Sequence, residues 1–141
     1  MEVLLEKNTV ENLIPQKAPF VMVDKLLAYK ENEITAGLTI PADNIFVQDG
    51  KFTESGIVEH MAQTVALYTG YQYHLKNEPA PTGYIGSVKD VKVNALPPVG
   101  RELLTRAVVL QEFMGITLVN IVTTCEGTEI AVSQMKTVLA K

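Results

Sequence analysis

A carboxylate and a carboxamide four positions apart, Glu59 and Gln63, are the residues whose types and spacing could do chemistry. On a helix, side chains at i and i+4 lie on one face and can touch. A carboxylate oriented by an amide in a cleft can move a proton during a reaction. The helix dipole near a helix start favours the ionised form, while burial favours the neutral one. A group pulled both ways suits acid–base work. The competing reading is an amphipathic helix whose polar stripe, Glu59, His60, Gln63 and Thr64, simply faces water. Periodicity leaves both open.

His60 follows Glu59 directly and so points about 100° away on a helix. It reads as a surface or interface histidine rather than a second group in the same cleft. His74 lies near the expected helix end, where its positive form suits the dipole. With no third ligand at metal-site spacing, the two histidines give no metal site. Cys125 is the only cysteine. It cannot form an intrachain disulfide and, without a cationic neighbour, reads as a small buried hydrophobe. Tyr68, Tyr71 and Tyr73 read as core or dimer-interface residues.

The element that must carry Glu59 starts near Thr53 or Ser55, either of which can cap it, and fades between Tyr73 and Asn77 before Pro79 and Pro81. Ala62, Ala66 and Gly70 share one face, so a sheet can approach the helix axis there. Asn8 or Thr9 is expected to cap a short helix over Val10–Leu13. Strands are expected over Phe20–Ala28, Ile34–Ile40, Gly83–Val93, Glu102–Phe113, Thr117–Cys125 and Ile130–Ala140. Residues 42–53 read as a loop with an Asp49-Gly50 turn. Further turn signals stand at Pro97-Pro98-Val99-Gly100, Met114-Gly115 and Glu126-Gly127. Two strands, a long apolar helix and four strands make an α+β unit in which an antiparallel sheet wraps the helix.

The chain has 141 residues, 47% of them hydrophobic and 20% charged, enough for one domain over 1–141 with its own core. Its net charge of −4 is spread out, without the basic stripe of a nucleic-acid binder. No apolar run approaches the roughly 20 residues that span a bilayer, and the N-terminus lacks secretory-signal character. The expected location is the cytoplasm, with no membrane partner.

The segment Gly56 to Gln63, GIVEHMAQ, resembles the central-helix motif of hotdog-fold 3-hydroxyacyl-acyl carrier protein dehydratases. In that motif a Glu three residues before an Ala-Gln pair faces the active site. Ile14-Pro15, Pro19-Phe20 and Val23-Asp24 fit the motif opening those enzymes' first strand, and Pro98-Val99-Gly100 fits a later turn. The closer resemblance is to the dehydratase-like proteins of aryl-polyene and flexirubin-type pigment pathways. It rests on Asn44, Asp49-Gly50, Gly56, Glu59, Ala62-Gln63, Gly83-Tyr84 and the run Ser87-Val88-Lys89-Asp90-Val91. It implies a hotdog fold, with six antiparallel strands around one long central helix. It also implies a dimer or higher assembly with interfacial sites. Glu59 and Gln63 would be catalytic, and Asn44, Gly56, Gly86 and Ser87 would bind substrate. The substrate would ride on phosphopantetheine or coenzyme A, with no cofactor, and Lys89, Lys92 and Arg101 would either meet that arm or an acidic acyl carrier protein, or stand on a solvated face. For Tyr68, Tyr71 and Tyr73 the lining of an acyl channel is the alternative.

Two departures from the family pattern bear on function. Where the dehydratases carry a loop histidine this chain has Ile45, preceded by Asn44, and Gln16 replaces the histidine of the first-strand motif. Dehydration needs both a base and an acid, and Glu59 alone does not obviously serve as both. Backbone N–H groups around Gly56 could still polarise a thioester carbonyl. Three functions follow. One is a 3-hydroxyacyl thioester dehydratase, alone or as half of a mixed dimer with a dehydratase-like partner. The second is an acyl-thioesterase using Glu59. The third is a non-catalytic subunit that binds an acyl carrier.

Overall fold

In the computed structural model, which describes residues 2–140, the elements are α1 (Lys7–Glu11), β1 (Lys25–Lys30), β2 (Glu33–Thr39), β3 (Val47–Gln48), β4 (Lys51–Phe52), α2 (Glu54–Leu75), β5 (Gly83–Val93), β6 (Glu102–Phe113), β7 (Ile116–Cys125) and β8 (Thr128–Leu139). Six strands form one sheet in the order β1-β2-β6-β7-β8-β5, every neighbour antiparallel. Two-residue turns with positive φ at both positions close three hairpins, at Asp49-Gly50, Met114-Gly115 and Glu126-Gly127. Such turns match the right-handed twist of the strands they join.

The sheet curls around α2. Ile57, Met61, Val65, Leu67 and Tyr68 of the helix are buried in one cluster with residues of β1, β2, β6, β7 and β8, among them Leu26, Ile34, Leu103, Ile121 and Met135. This is the hotdog arrangement that the motifs imply. Of the two candidate caps, Thr53 is the one that closes the helix start, its hydroxyl accepting from Gly56 N at 3.4 Å. The helix ends at Leu75, before Asn77 turns left-handed at φ 56°.

Several expectations need correction. The first strand starts at Lys25, not Phe20. The Phe20 carbonyl and both backbone polar groups of Met22 find their partners on α2 side chains instead of a neighbouring strand. The first helix spans Lys7–Glu11 behind Glu6, one turn earlier than expected and without a side-chain cap from Asn8 or Thr9. The loop over 42–53 contains the small β3–β4 hairpin.

The small-residue face of α2 also differs in what meets it. A Cβ at Gly70 would lie 1.9 Å from the Leu13 carbonyl oxygen. The N-terminal segment, not the sheet, therefore makes the close approach, while Ala62 and Ala66 stay half-exposed. At the far edge of the sheet, β5 pairs among the described residues only with β8 and is exposed along nearly its whole length.

Candidate functional site

Gln63 is fully buried and engages three groups. Its Nε2 donates to Glu59 Oε1 at 2.8 Å and to the Phe20 carbonyl at 2.8 Å, while its Oε1 accepts from Met22 N at 2.6 Å. Only the oxygen of an amide can receive a backbone N–H, so Met22 fixes which way the amide faces. Glu59 is half-buried, held at one oxygen, with no hydrogen bond to Oε2 among the described residues. The expected Glu59–Gln63 pair thus forms, and Gln63 also ties the chain before β1 to the helix.

His60 is not a surface histidine. It is fully buried, with Nδ1 2.6 Å from the Met22 carbonyl and Nε2 2.8 Å from Thr105 Oγ1 on β6. Thr105 Oγ1 in turn lies 2.6 Å from Thr123 Oγ1, its register partner on β7. Burial pushes the imidazole down from 6.5 to about 4, against a smaller upward pull from Met22, so the ring is neutral near pH 7. A carbonyl can only accept, so Nδ1 carries the proton and Nε2 accepts from Thr105. Thr64 is buried too, its hydroxyl donating to the His60 carbonyl at 2.9 Å. The polar stripe is therefore not solvated: three of its four members lie inside, and Glu59 alone borders the open side.

Beyond Glu59 the open face continues through Ala62 and Ala66 to Gly70. A cavity of about 350 Å³ lies between this face, residues 12–16 and the start of β5 at Gly83, Tyr84 and Ile85. Its lining is mostly apolar. Gln16 contributes a polar oxygen that is buried and unpartnered among the described residues. Glu59 is not part of the wall. It sits on the same helix face one turn before Ala62, which does line the cavity.

The remaining residues expected at the site are dispersed. Asn44 holds its own loop, accepting from Phe46 N at 2.8 Å and donating to the Met22 sulfur at 3.2 Å. Gly56 makes room for aromatic packing, since a Cβ there would lie 2.6 Å from the Phe52 ring. Its N–H is turned to Thr53. Gly86 and Ser87 lie exposed on β5 at a bulge, beside Ile85 of the cavity wall but not themselves part of it. Lys89 and Lys92 are exposed on the same strand, and Arg101 pairs with Glu126.

Tyr68 is buried against Tyr29, its hydroxyl accepting from Asn32 N at 3.0 Å. Cys125 packs against the core, its thiol pushed up by burial. Among the described residues no three His, Cys, Asp or Glu side chains cluster to hold a metal, and no helix is long and apolar enough to cross a membrane. Sequence reasoning missed the role of Met22, whose backbone joins Gln63 to His60. The only trace of it is the polar pair at i and i+3 on an otherwise apolar helix.

Comparison with known proteins fits this geometry. The 3-hydroxyacyl-[acyl-carrier-protein] dehydratase FabZ of Vibrio cholerae is 26% identical over 137 residues, covering 90% of this chain and 86% of that protein. The dehydratase heterocomplex ApeI:P from Xenorhabdus doucetiae contains a chain that superposes with a TM-score of 0.86 at 20% identity, over 94% of this chain and 91% of that one. A hypothetical thioesterase from Streptococcus pneumoniae, solved with coenzyme A, has a TM-score of 0.67 at 6% identity, covering 82% and 84%. The shared architecture by itself does not select a reaction. A family does match, described as ApeP-like, ApeP dehydratase, over residues 8–138. The chain belongs to the ApeP dehydratase family.

Proposed function

We propose that this chain contributes Glu59 to a composite 3-hydroxyacyl thioester dehydratase site, and that a dehydratase-like partner contributes the histidine. The observation that carries the reading is the setting of Glu59. Its carboxylate is locked by Gln63, one helical turn before Ala62 of the cavity wall, and neither histidine of the chain bonds to it. His60 is turned into the core, and His74 sits in the last helical turn.

Dehydration removes a proton from C2 and the hydroxyl from C3 as water, leaving a 2-enoyl thioester. In this reading the partner's histidine takes the C2 proton, and Glu59, through its free Oε2, protonates the leaving hydroxyl. The acyl chain lies in the cavity along Ala62 and Ala66. No metal or cofactor takes part; phosphopantetheine or coenzyme A carries the substrate.

The partner docks on β5. That strand has an unpaired edge and exposed Tyr84, Ile85, Val88 and Val91. The start of β5 also lines the cavity, so a protomer seated there closes it. Gly86 and Ser87 then meet substrate at the seam, while Asn44 and Gly56 shape the loop and helix start beside it. The chain acts as one domain, in the cytoplasm.

The test is titration of the purified chain with a hotdog dehydratase partner that carries the loop histidine. Dehydration of 3-hydroxyacyl-acyl carrier protein should rise at least about tenfold and saturate at equal amounts. No gain at any ratio contradicts the reading. A second reading, acyl-thioester hydrolysis, is favoured by the same Glu59–Gln63 contact, which needs no histidine. It fails if hydrolysis of short, aromatic and long acyl-coenzyme A substrates is unchanged in Glu59→Gln.

A further inference from the structure

We infer that His60 is a positioning residue for Glu59, acting through both peptide groups of Met22 as the neutral, Nδ1-protonated tautomer. The inference deepens the composite-site reading above and rests on it for its kinetic part.

Met22 is gripped from two sides by one helix. Gln63 Oε1 takes its N–H at 2.6 Å, and His60 Nδ1 donates to its carbonyl at 2.6 Å. These atoms belong to the peptide groups on either side of the Met22 Cα, so both planes are fixed at once. The same Gln63 amide then presents Nε2 to Glu59 Oε1 and to the Phe20 carbonyl. If the Met22 carbonyl is released, the residue is free to rotate, Gln63 loses the N–H that fixes its amide, and Glu59 loses its orientation. A catalytic group displaced by even a fraction of an ångström forfeits rate without losing substrate affinity.

The sheet sets the direction of this chain of bonds. With Nε2 bare, Thr105 must donate to it, and Thr105 Oγ1 is left to accept from Thr123. Each bond polarises the next, so the run Thr123–Thr105–His60–Met22 holds the ring in one tautomer and one orientation. A packing role alone would not need this polarity. A buried ring with no chemical role costs less as an apolar side chain than as one requiring two partners.

The experiment compares His60→Phe with His60→Asn in the mixed complex. Phenylalanine keeps a ring but donates nothing. The asparagine amide nitrogen sits as many bonds from Cα as Nδ1 and can donate to Met22. His60→Phe should lower kcat roughly tenfold to a hundredfold with KM nearly unchanged. His60→Asn should restore most of the rate. Equal rates in wild type and a folded His60→Phe overturn the inference, as does an Asn variant no better than Phe.

Nitrogen NMR of the wild-type imidazole needs no variant and covers the case in which His60→Phe does not fold. Near neutral pH it should show Nδ1 protonated and Nε2 bare; the opposite tautomer, or a cation, overturns the inference. If no mixed complex dehydrates any substrate, the composite-site reading has failed. The side-chain amide protons of Gln63 then decide the positioning role. They should exchange faster in His60→Phe than in His60→Asn, and equal exchange overturns it.

Discussion

Helix α2 places adjacent residues in opposite surroundings. His60, Gln63 and Thr64 on the sheet side have no exposed surface, and each polar group there has a partner. On the other side Glu59 is half-open, and the residues after it on that face are Ala62, Ala66 and Gly70. The polar residues are inside and the small apolar ones line the opening, the reverse of an ordinary surface helix. The buried side holds geometry, because satisfied polar groups in a core rigidify what they touch. The open side offers space and one carboxylate. Gln63 joins the two, fixed by the inner chain and touching the outer group.

The contrast between the sides can be broken from each. The largest stability effect belongs to acid and to His60. An exposed imidazole titrates near 6.5, whereas this one is held down at about 4. Between those values the unfolded chain takes up a proton that the folded chain refuses. The site costs nothing above about pH 6.5, and stability falls as pH drops toward 4, by about 3 kcal/mol in all. Urea unfolding of wild type and His60→Asn at pH 7 and pH 4 checks it: the wild type should lose more, and other titrating groups cancel in the comparison.

Gly70→Ala comes next. Alanine gains about 1 kcal/mol in helix propensity, yet its Cβ must displace the Leu13 backbone carbonyl. Net destabilisation of about 2 kcal/mol is expected in a denaturant titration, and a stabilised variant would place the N-terminal segment elsewhere. Ala66→Leu points into the cavity and should change stability by less than about 1 kcal/mol. Turnover of long acyl chains should fall while short ones survive, which substrate-length profiles would show. The smallest effect belongs to the exposed Arg101–Glu126 pair. Arg101→Ala should leave stability within about 0.5 kcal/mol by thermal melting.

Much of this was legible in the residues. β5 and β6 have the expected bounds, and β7 gains only Ile116, because Gly-containing turns and prolines punctuate them. The helix lies between Thr53 and Pro79, as expected. The Glu59–Gln63 contact follows from spacing alone. What stayed hidden depends on partners distant in the chain. Phe20 to Met22 has a strand-like composition, but the Phe20 carbonyl and both Met22 backbone groups bond to side chains about 40 positions away. His60 reads from sequence as a surface or interface histidine because its other partner, Thr105, is 45 positions away on another strand. Ala62, Ala66 and Gly70 announced a close approach, but the N-terminal segment makes it at Gly70 in place of the expected sheet, and Ala62 and Ala66 line a cavity.

The most direct test of the central claim is the dehydration rate of the mixed complex carrying Glu59→Gln in this chain alone. Glutamine keeps the size of the side chain and its contact to Gln63 but cannot supply the proton. The account predicts a rate lower by at least about a hundredfold, with assembly and melting temperature unchanged. An undiminished rate from an intact complex would contradict it.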